Sequence, residues 1–287
     1  MTGKKNMNII NKKNYYFALS LIVVVPGLLA LVFWGLNLSI DFTGGSRLTL
    51  SFRDEVKEST LEKIRKSLEV QKIEVSSLAK SNNLVFVRTD PMDQSQNNKL
   101  IASLSKDFKD VSQKEFETVG PIIGKETTLN AFKAVVIASI LIILYITWSF
   151  RHVPKPASSI RFGICAIAAL IHDVLVVVGI FAILGHFFGV EVDSLFVTAI
   201  LTIIGFSVHD TIVVFDRIRE NLRKMTGITF SEVVNESIVQ TLGRSLNTSL
   251  TVILVLVTLL IFGGESIRWF VVALLIGIIS GTYSSIF

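Results

Sequence analysis

The chain has 287 residues, 51% of them hydrophobic and only 18% charged, with a mean hydropathy of +0.61. A soluble domain carries roughly 25% charged residues, so composition excludes an ordinary water-soluble protein. The formal charge of +5 arises outside one stretch: residues 37–128 hold 14 basic and 14 acidic side chains, and the remainder holds 14 and 9. The basic residues flank apolar runs instead of forming a patch, which argues against a nucleic-acid partner. Cys165 is the single cysteine, so no intrachain disulfide can form.

Residues 1–16 are a leader with Lys4, Lys5, Lys12, Lys13 and no acid. The apolar run 17–36 has the roughly 20 residues that a bilayer crossing needs. It lacks a small-x-small cleavage site and reads as an uncleaved anchor. Residues 37–130 form a water-facing α+β domain. Alternation predicts strands over 47–52, 72–79, 84–89 and 115–119, with residues 81–83 as a turn. Helical spacing predicts helices over 56–68, through Leu61, Ile64 and Leu68, and over 94–108, through Leu100, Ile101, Leu104 and Phe108. The order β-α-β-β-α-β is that of a ferredoxin-like fold. Residues 131–287 supply five further spans, at about 134–150, 162–185, 194–215, 245–262 and 269–286. The fold class is therefore a polytopic α-helical membrane protein of six spans with a small external α+β domain.

Lys and Arg set orientation. Arg151, His152, Lys155 and Arg161 join the second and third spans, and Arg217, Arg219, Arg223 and Lys224 follow the fourth. Opposite loops carry Glu191, Asp193 and Glu265; Arg268 is the exception, at a span end where it can snorkel. Both termini are expected in the cytoplasm and domain 37–130 outside.

Ionisable groups inside spans are costly, about 2.5–3.5 kcal/mol for Asp or Arg at mid-bilayer. Asp173, Asp210 and Arg244 stand out. Ser207, Asp210 and Thr211 share one arc of the fourth span, with His209 beside them. Thr241, Arg244, Thr248 and Thr251 form a polar stripe on the fifth. Burial disfavours a charged carboxyl and a nearby guanidinium favours it, so a movable Asp–Arg pair can switch protonation. Two readings stand: a proton path, or static polar packing with Asp210 and Arg244 as a fixed pair. Asp173 has apolar neighbours along its helix, and a neutral packing role carries equal weight. Gly205, Gly243 and Gly277 are expected to permit close helix contacts. No HExxH, GxSxG or metal-ligand cluster supports an enzyme, a cofactor or a metal site; His152, His172, His186 and His209 form no metal motif.

Several segments carry a family likeness. They are Asp41-Phe42-Thr43-Gly44-Gly45, Val119-Gly120-Pro121, His172-Asp173-Val174, GFSVHDTIVVFDRIREN at 205–221, TLGRSLNTS at 241–249 and FGG at 262–264. With six spans and one small external domain, the chain resembles the SecF members of the SecD/SecF protein-export family, related to resistance-nodulation-division transporters. DFTGG alone would be shared with SecD; the external domain's length and the 205–221 run favour SecF. The resemblance implies half of such a transporter, placed in the bacterial inner membrane. It further implies work with SecD, the SecYEG channel and YajC on translocating preproteins, driven by the proton-motive force at late steps of export. It assigns the proton pathway to the positions of Asp210 and Arg244, with Asp173, His209, Ser207, Thr211 and Thr248 as coupling candidates. Asp41, Phe42, Thr43, Gly44, Gly45, Gly120 and Pro121 are the hinge or family motif. His209 departs from the Asn of many relatives. The alternative is an autonomous proton-driven transporter of small molecules or lipids, for which six spans are half the usual number.

Overall fold

The computed structural model describes residues 8–71, 73–108, 110–225 and 227–287. Lys4, Lys5 and Lys72, named above, lie outside the described residues. Elements follow in the order α1 (Lys13–Trp34), α2 (Ile40–Thr43), β1 (Gly45–Ser51), α3 (Glu58–Val70), β2 (Val75–Ser81), β3 (Leu84–Thr89), α4 (Gln94–Asp107) and β4 (Ser112–Val119). Then come α5 (Pro121–Ser149), α6 (Ser159–Phe188), α7 (Ser194–Lys224), α8 (Phe230–Phe262) and α9 (Glu265–Ile286). They divide into a helical unit, Met1–Asn37 with Phe132–Phe287, and a sheet unit, Leu38–Ala131.

Among the described residues six helices are long and apolar enough to cross a membrane: α1 with its preceding turn, and α5 to α9. Their ends are set by local chemistry. The Ser158 hydroxyl accepts the Arg161 N–H at 3.3 Å to open α6, which closes on Gly189 in the left-handed conformation. Asp193 accepts the Phe196 N–H at 2.9 Å to open α7. Thr229 and Glu232 form a reciprocal capping box at the start of α8.

Helices α7 and α8 run to 31 and 33 residues, longer than the apolar runs at 194–215 and 245–262 predict. The extension of α7 is charged and laced by one-turn ion pairs, Arg217–Glu220 at 2.7 Å, Lys224–Glu220 at 2.5 Å and Arg219–Asp216. Such pairs stabilise an exposed helix by about 0.2–0.5 kcal/mol each, enough to carry it past the hydrocarbon. Likewise α5 starts at Pro121, whose missing N–H costs nothing in the first turn, thirteen residues before the apolar run begins.

Helix α9 lies against α6, α7 and α8, and α1 lies against α6. Side chains on the outer faces of α5 and α8, among them Leu141, Leu144, Leu250, Leu254 and Val255, are exposed and apolar, as a lipid-solvated surface requires. Of the three glycines expected to permit close contacts, only Gly277 does so. A Cβ on it would lie 2.2 Å from Ile203 Cδ1, while Gly205 and Gly243 face open space. A close approach of two helix backbones is found instead between Gly27 of α1 and Gly179 of α6, where a Cβ on Gly179 would sit 2.6 Å from the Gly27 Cα.

The sheet unit has four strands in the order β2-β3-β1-β4, every neighbouring pair antiparallel. Leu48, Leu50, Val85 and Val87 point to one face and pack with Ile64, Leu68, Leu100 and Leu104 from α3 and α4. Burying such a side chain is worth about 1.5–3 kcal/mol. Ser81 pairs with Leu84, so the turn is the two residues Asn82 and Asn83, with Asn82 at φ +52°, rather than the predicted three. Strand β4 begins three residues earlier than expected because the β1–β4 register shifts between Thr49 and Leu50. That shift breaks the alternation a sequence reader relies on.

Candidate proton-coupling site

Inside the helical unit the site is built from α6, α7, α8 and α9. Ser207, Asp210 and Thr211 are all buried on α7, as their shared arc predicts. Asp210 is 2% exposed, and its Oδ2 has no hydrogen-bond partner among the described residues. Ser249 of α8 lies against this carboxyl, and the Ser249 hydroxyl also meets Thr282 of α9 at 2.6 Å. One turn on, the Thr211 hydroxyl donates to the Ser207 carbonyl at 3.0 Å and meets Ser285 of α9 at 3.1 Å. His209, the chain neighbour of Asp210, is exposed.

The expected stripe on α8 is split by the structure. Thr241 is buried, Arg244 and Thr251 are exposed, and Thr248 lies between. Steps of about 100° per residue spread these four over roughly 80° of arc, which reaches from the buried edge of α8 to its open side. Thr248 and Thr251 return their hydroxyls to the carbonyls of Arg244 and Thr248, at 3.0 and 2.7 Å. No ion pair joins Arg244 to Asp210 among the described residues. Arg244 is exposed on α8 and makes no direct ion pair with Asp210, although its charge lies within electrostatic reach of that carboxyl.

Asp173 is buried on α6, and all but one of its polar partners come from other helices. Ser207 and Ser284 donate to Oδ2 at 2.6 and 2.8 Å, Ser280 donates to Oδ1 at 2.9 Å, and His172 Nδ1 lies 3.0 Å from Oδ1. The α9 hydroxyls Ser280, Thr282, Ser284 and Ser285 were not foreseen; their signal is a run of small polar residues at one-turn spacing inside an otherwise apolar span. Through them α9 serves both acids, Asp173 with one pair and the Asp210 region with the other. Among the described residues no group of three or more His, Cys, Asp or Glu side chains could hold a metal.

In the sheet unit the DFTGG segment forms α2 and the entry to β1. Ser39 caps α2 by accepting the Asp41 N–H at 3.2 Å, and Phe42 is buried. Gly45 has φ +121°, and a Cβ there would lie 2.7 Å from the Thr89 carbonyl oxygen, so this position tolerates only glycine. Arg88 of β3, also unforeseen, donates to the Leu38 carbonyl at 2.8 Å and to the Thr43 hydroxyl at 2.5 Å. Gly120 faces open space beside Pro121, and seven residues after that proline Thr128 donates from α5 to the Phe42 carbonyl at 3.3 Å.

Comparison with known proteins decides the family. The pattern of "Protein export membrane protein SecD/SecF, C-terminal" matches residues 99–287, and the "SecD/SecF GG Motif" matches residues 30–56. The chain belongs to the SecD/SecF protein-export family. Two relatives, each called protein translocase subunit SecF, come from Thermobaculum terrenum and Anaerolinea thermophila. They are 46% and 44% identical, over 98% of this chain and 91% of theirs. The SecDF translocase subunit of Bacillus subtilis is 39% identical over 96% of this chain and 36% of its own. The crystal structure of SecDF from Thermus thermophilus, a translocon-associated membrane protein, superposes with a TM-score of 0.83 at 35% identity. It covers 99% of this chain and 37% of that one. The SecD/SecF likeness thus extends over both units, and the six apolar helices make this a multi-pass membrane protein.

Proposed function

We propose that this chain is a proton-coupled subunit of preprotein export that works with a SecD partner in the bacterial inner membrane. In this reading both termini are cytoplasmic and the sheet unit is external. The single observation that carries it is the contrast between two neighbouring charges that form no direct pair: Asp210 is buried with an unpartnered carboxyl oxygen, while Arg244 is exposed on α8. A guanidinium facing hydrocarbon costs about 2.5–3.5 kcal/mol, so that face of α8 calls for a polar partner. Relatives in which SecD and SecF are one chain support a SecD-like subunit as that partner. Asp210 then gains a charged neighbour when the helices shift, and takes up a proton when they part. By linkage, protonation biases the same shift.

Ser207, Thr211 and Thr248 are the proposed hydroxyl groups of the path, and His209 faces the partner side. The α2–Gly45 and Gly120–Pro121 connections act as hinges through which the external domain alters its grip on an emerging polypeptide. The strand order β2-β3-β1-β4 with both helices on one face supports a ferredoxin-like description of that domain. SecYEG, YajC and the translocating preprotein complete the assembly, and the role is non-enzymatic. No observation favours the alternative of an autonomous transporter. Reconstituted membranes test the partner requirement: this chain without a SecD-like subunit should give no gradient-dependent export, and Arg244→Leu should abolish it in the paired complex. Full activity of the chain by itself would overturn the proposal.

A further inference from the structure

Asp173 and its neighbours form a titratable cluster that shares one member, Ser207, with the path proposed at Asp210 and has its own histidine. Asp173 lies midway along α6 and is 1% exposed. An ionised carboxylate offers about four lone-pair sites and no donor. Here Ser207, Ser284, Ser280 and His172 Nδ1 take up all four, at 2.6, 2.8, 2.9 and 3.0 Å. Because the carboxylate can only accept, His172 Nδ1 carries the hydrogen, and the tautomer is fixed by its neighbour. The other ring nitrogen, Nε2, is buried and has no partner among the described residues. It is the atom at which a proton arrives or leaves. With His172 neutral the cluster carries the single charge of Asp173; with His172 protonated it is a net-neutral pair. A lone charge inside a membrane span is costly, so each state has a defined electrostatic consequence.

The surroundings leave His172 with one counter-charge. Helix α6 packs against α1, α7 and α9. Helix α1 has no ionisable side chain from Phe17 to Trp34. Helix α7 brings His209 and Asp210 to the turn beside Ser207, and α9 brings Tyr283, whose hydroxyl donates to the Tyr16 carbonyl at 2.7 Å. Among the described residues, Asp173 alone makes an ion-pair contact with the imidazole.

We propose that His172 is a second proton-binding site of this chain, held in its Nδ1–H form by the serine-caged carboxylate of Asp173. Asp173 is then a positioning residue. The use of this site in export rests on the proton-coupled reading above, whereas proton binding itself is measured separately. The experiment is nitrogen NMR of the full chain, labelled in its four histidines and reconstituted in lipid vesicles with its SecD-like partner. Loss of one signal in His172→Asn identifies the residue, since Asn places an amide N–H where Nδ1–H stood. The expected result is an Nδ1 protonated throughout and an Nε2 that gains a proton as the pH is lowered. Asp173→Asn should abolish the fixed Nδ1 preference. If that variant does not assemble, Ser284→Ala keeps the carboxylate, removes one of its donors, and must move the pH at which Nε2 switches. An Nε2 that holds one protonation state as the pH is lowered, or an Nδ1 without hydrogen, overturns the proposal. In vesicle export, His172→Asn should lose part of the gradient-dependent increment; a full increment would remove His172 from coupling. The NMR result stands whatever happens in Asp210→Asn, so failure here and failure of the Asp210 account are distinguishable.

Discussion

Gly277→Ala tests whether the α7–α9 seam is as tight as the hydroxyl networks across it require. The added Cβ would lie 2.2, 2.4 and 2.8 Å from Cδ1, Cγ1 and Cγ2 of Ile203. All three atoms belong to one side chain that is 1% exposed, and a β-branched residue in a helix has essentially one χ1 rotamer. Ile203 therefore cannot turn aside, and α9 must move. Overpacking of this kind costs about 1–3 kcal/mol. Ile203→Ala alone should cost about 2–5 kcal/mol through the cavity it leaves. In the double variant the new methyl fills part of that cavity, so the two costs should fall short of additivity by about 1–3 kcal/mol. Reversible unfolding of the purified complex in detergent measures all three. Ser280 and Gly281 follow within about one turn of Gly277, so a displaced α9 should also loosen the cage around Asp173. A neutral Gly277→Ala, or strictly additive costs, would refute close packing at this seam.

Arg88→Ala should release the DFTGG segment by removing donors to Leu38 and Thr43, at about 0.5–1.5 kcal/mol per hydrogen bond at these part-exposed acceptors; faster amide exchange over residues 38–45 would show it, and unchanged exchange would contradict it. Topology is testable with Ser95→Cys and Met225→Cys in a Cys165→Ser background. A membrane-impermeant thiol reagent applied to intact cells should label position 95 and spare 225, and the reverse pattern would invert the orientation. Asn235→Ala should free the N-terminal turn, because Asn235 Oδ1 accepts the Ile9 and Ile10 N–H groups at 2.8 and 3.3 Å; protease cleavage near residue 10 should become faster, and an unchanged rate would deny the tether.

The six spans were legible because hydrocarbon imposes a length and composition that few other elements share. The periodic core of the sheet unit was legible too, through Leu48, Leu50, Ile64 and Leu100, since one buried face leaves its period in the sequence. Helix ends were less so. The outer turns of α7 and α8 are stabilised by ion pairs and caps rather than by apolar content, so hydropathy stops short of them. At the site, Asp210 and Ser207 could be placed together because they share one helix. The partners of Asp173 are not legible, because only His172 is a chain neighbour and the other three, all hydroxyls, arrive from α7 and α9. Arg244 was assigned to the right helix, but 80° of arc separates interior from open side, and no one-dimensional pattern says where that edge falls.

The central claim is that Asp210 exchanges a proton as part of export. Its most direct test is preprotein transport into inverted vesicles, with and without a proton gradient, at matched abundance of the complex. Asp210→Asn keeps the shape of the side chain and removes its ability to ionise. Assembly and gradient-independent transport should persist, while the gradient-dependent increment is lost. An Asp210→Asn complex that retains the full increment would make Asp210 a packing residue and contradict the coupling mechanism.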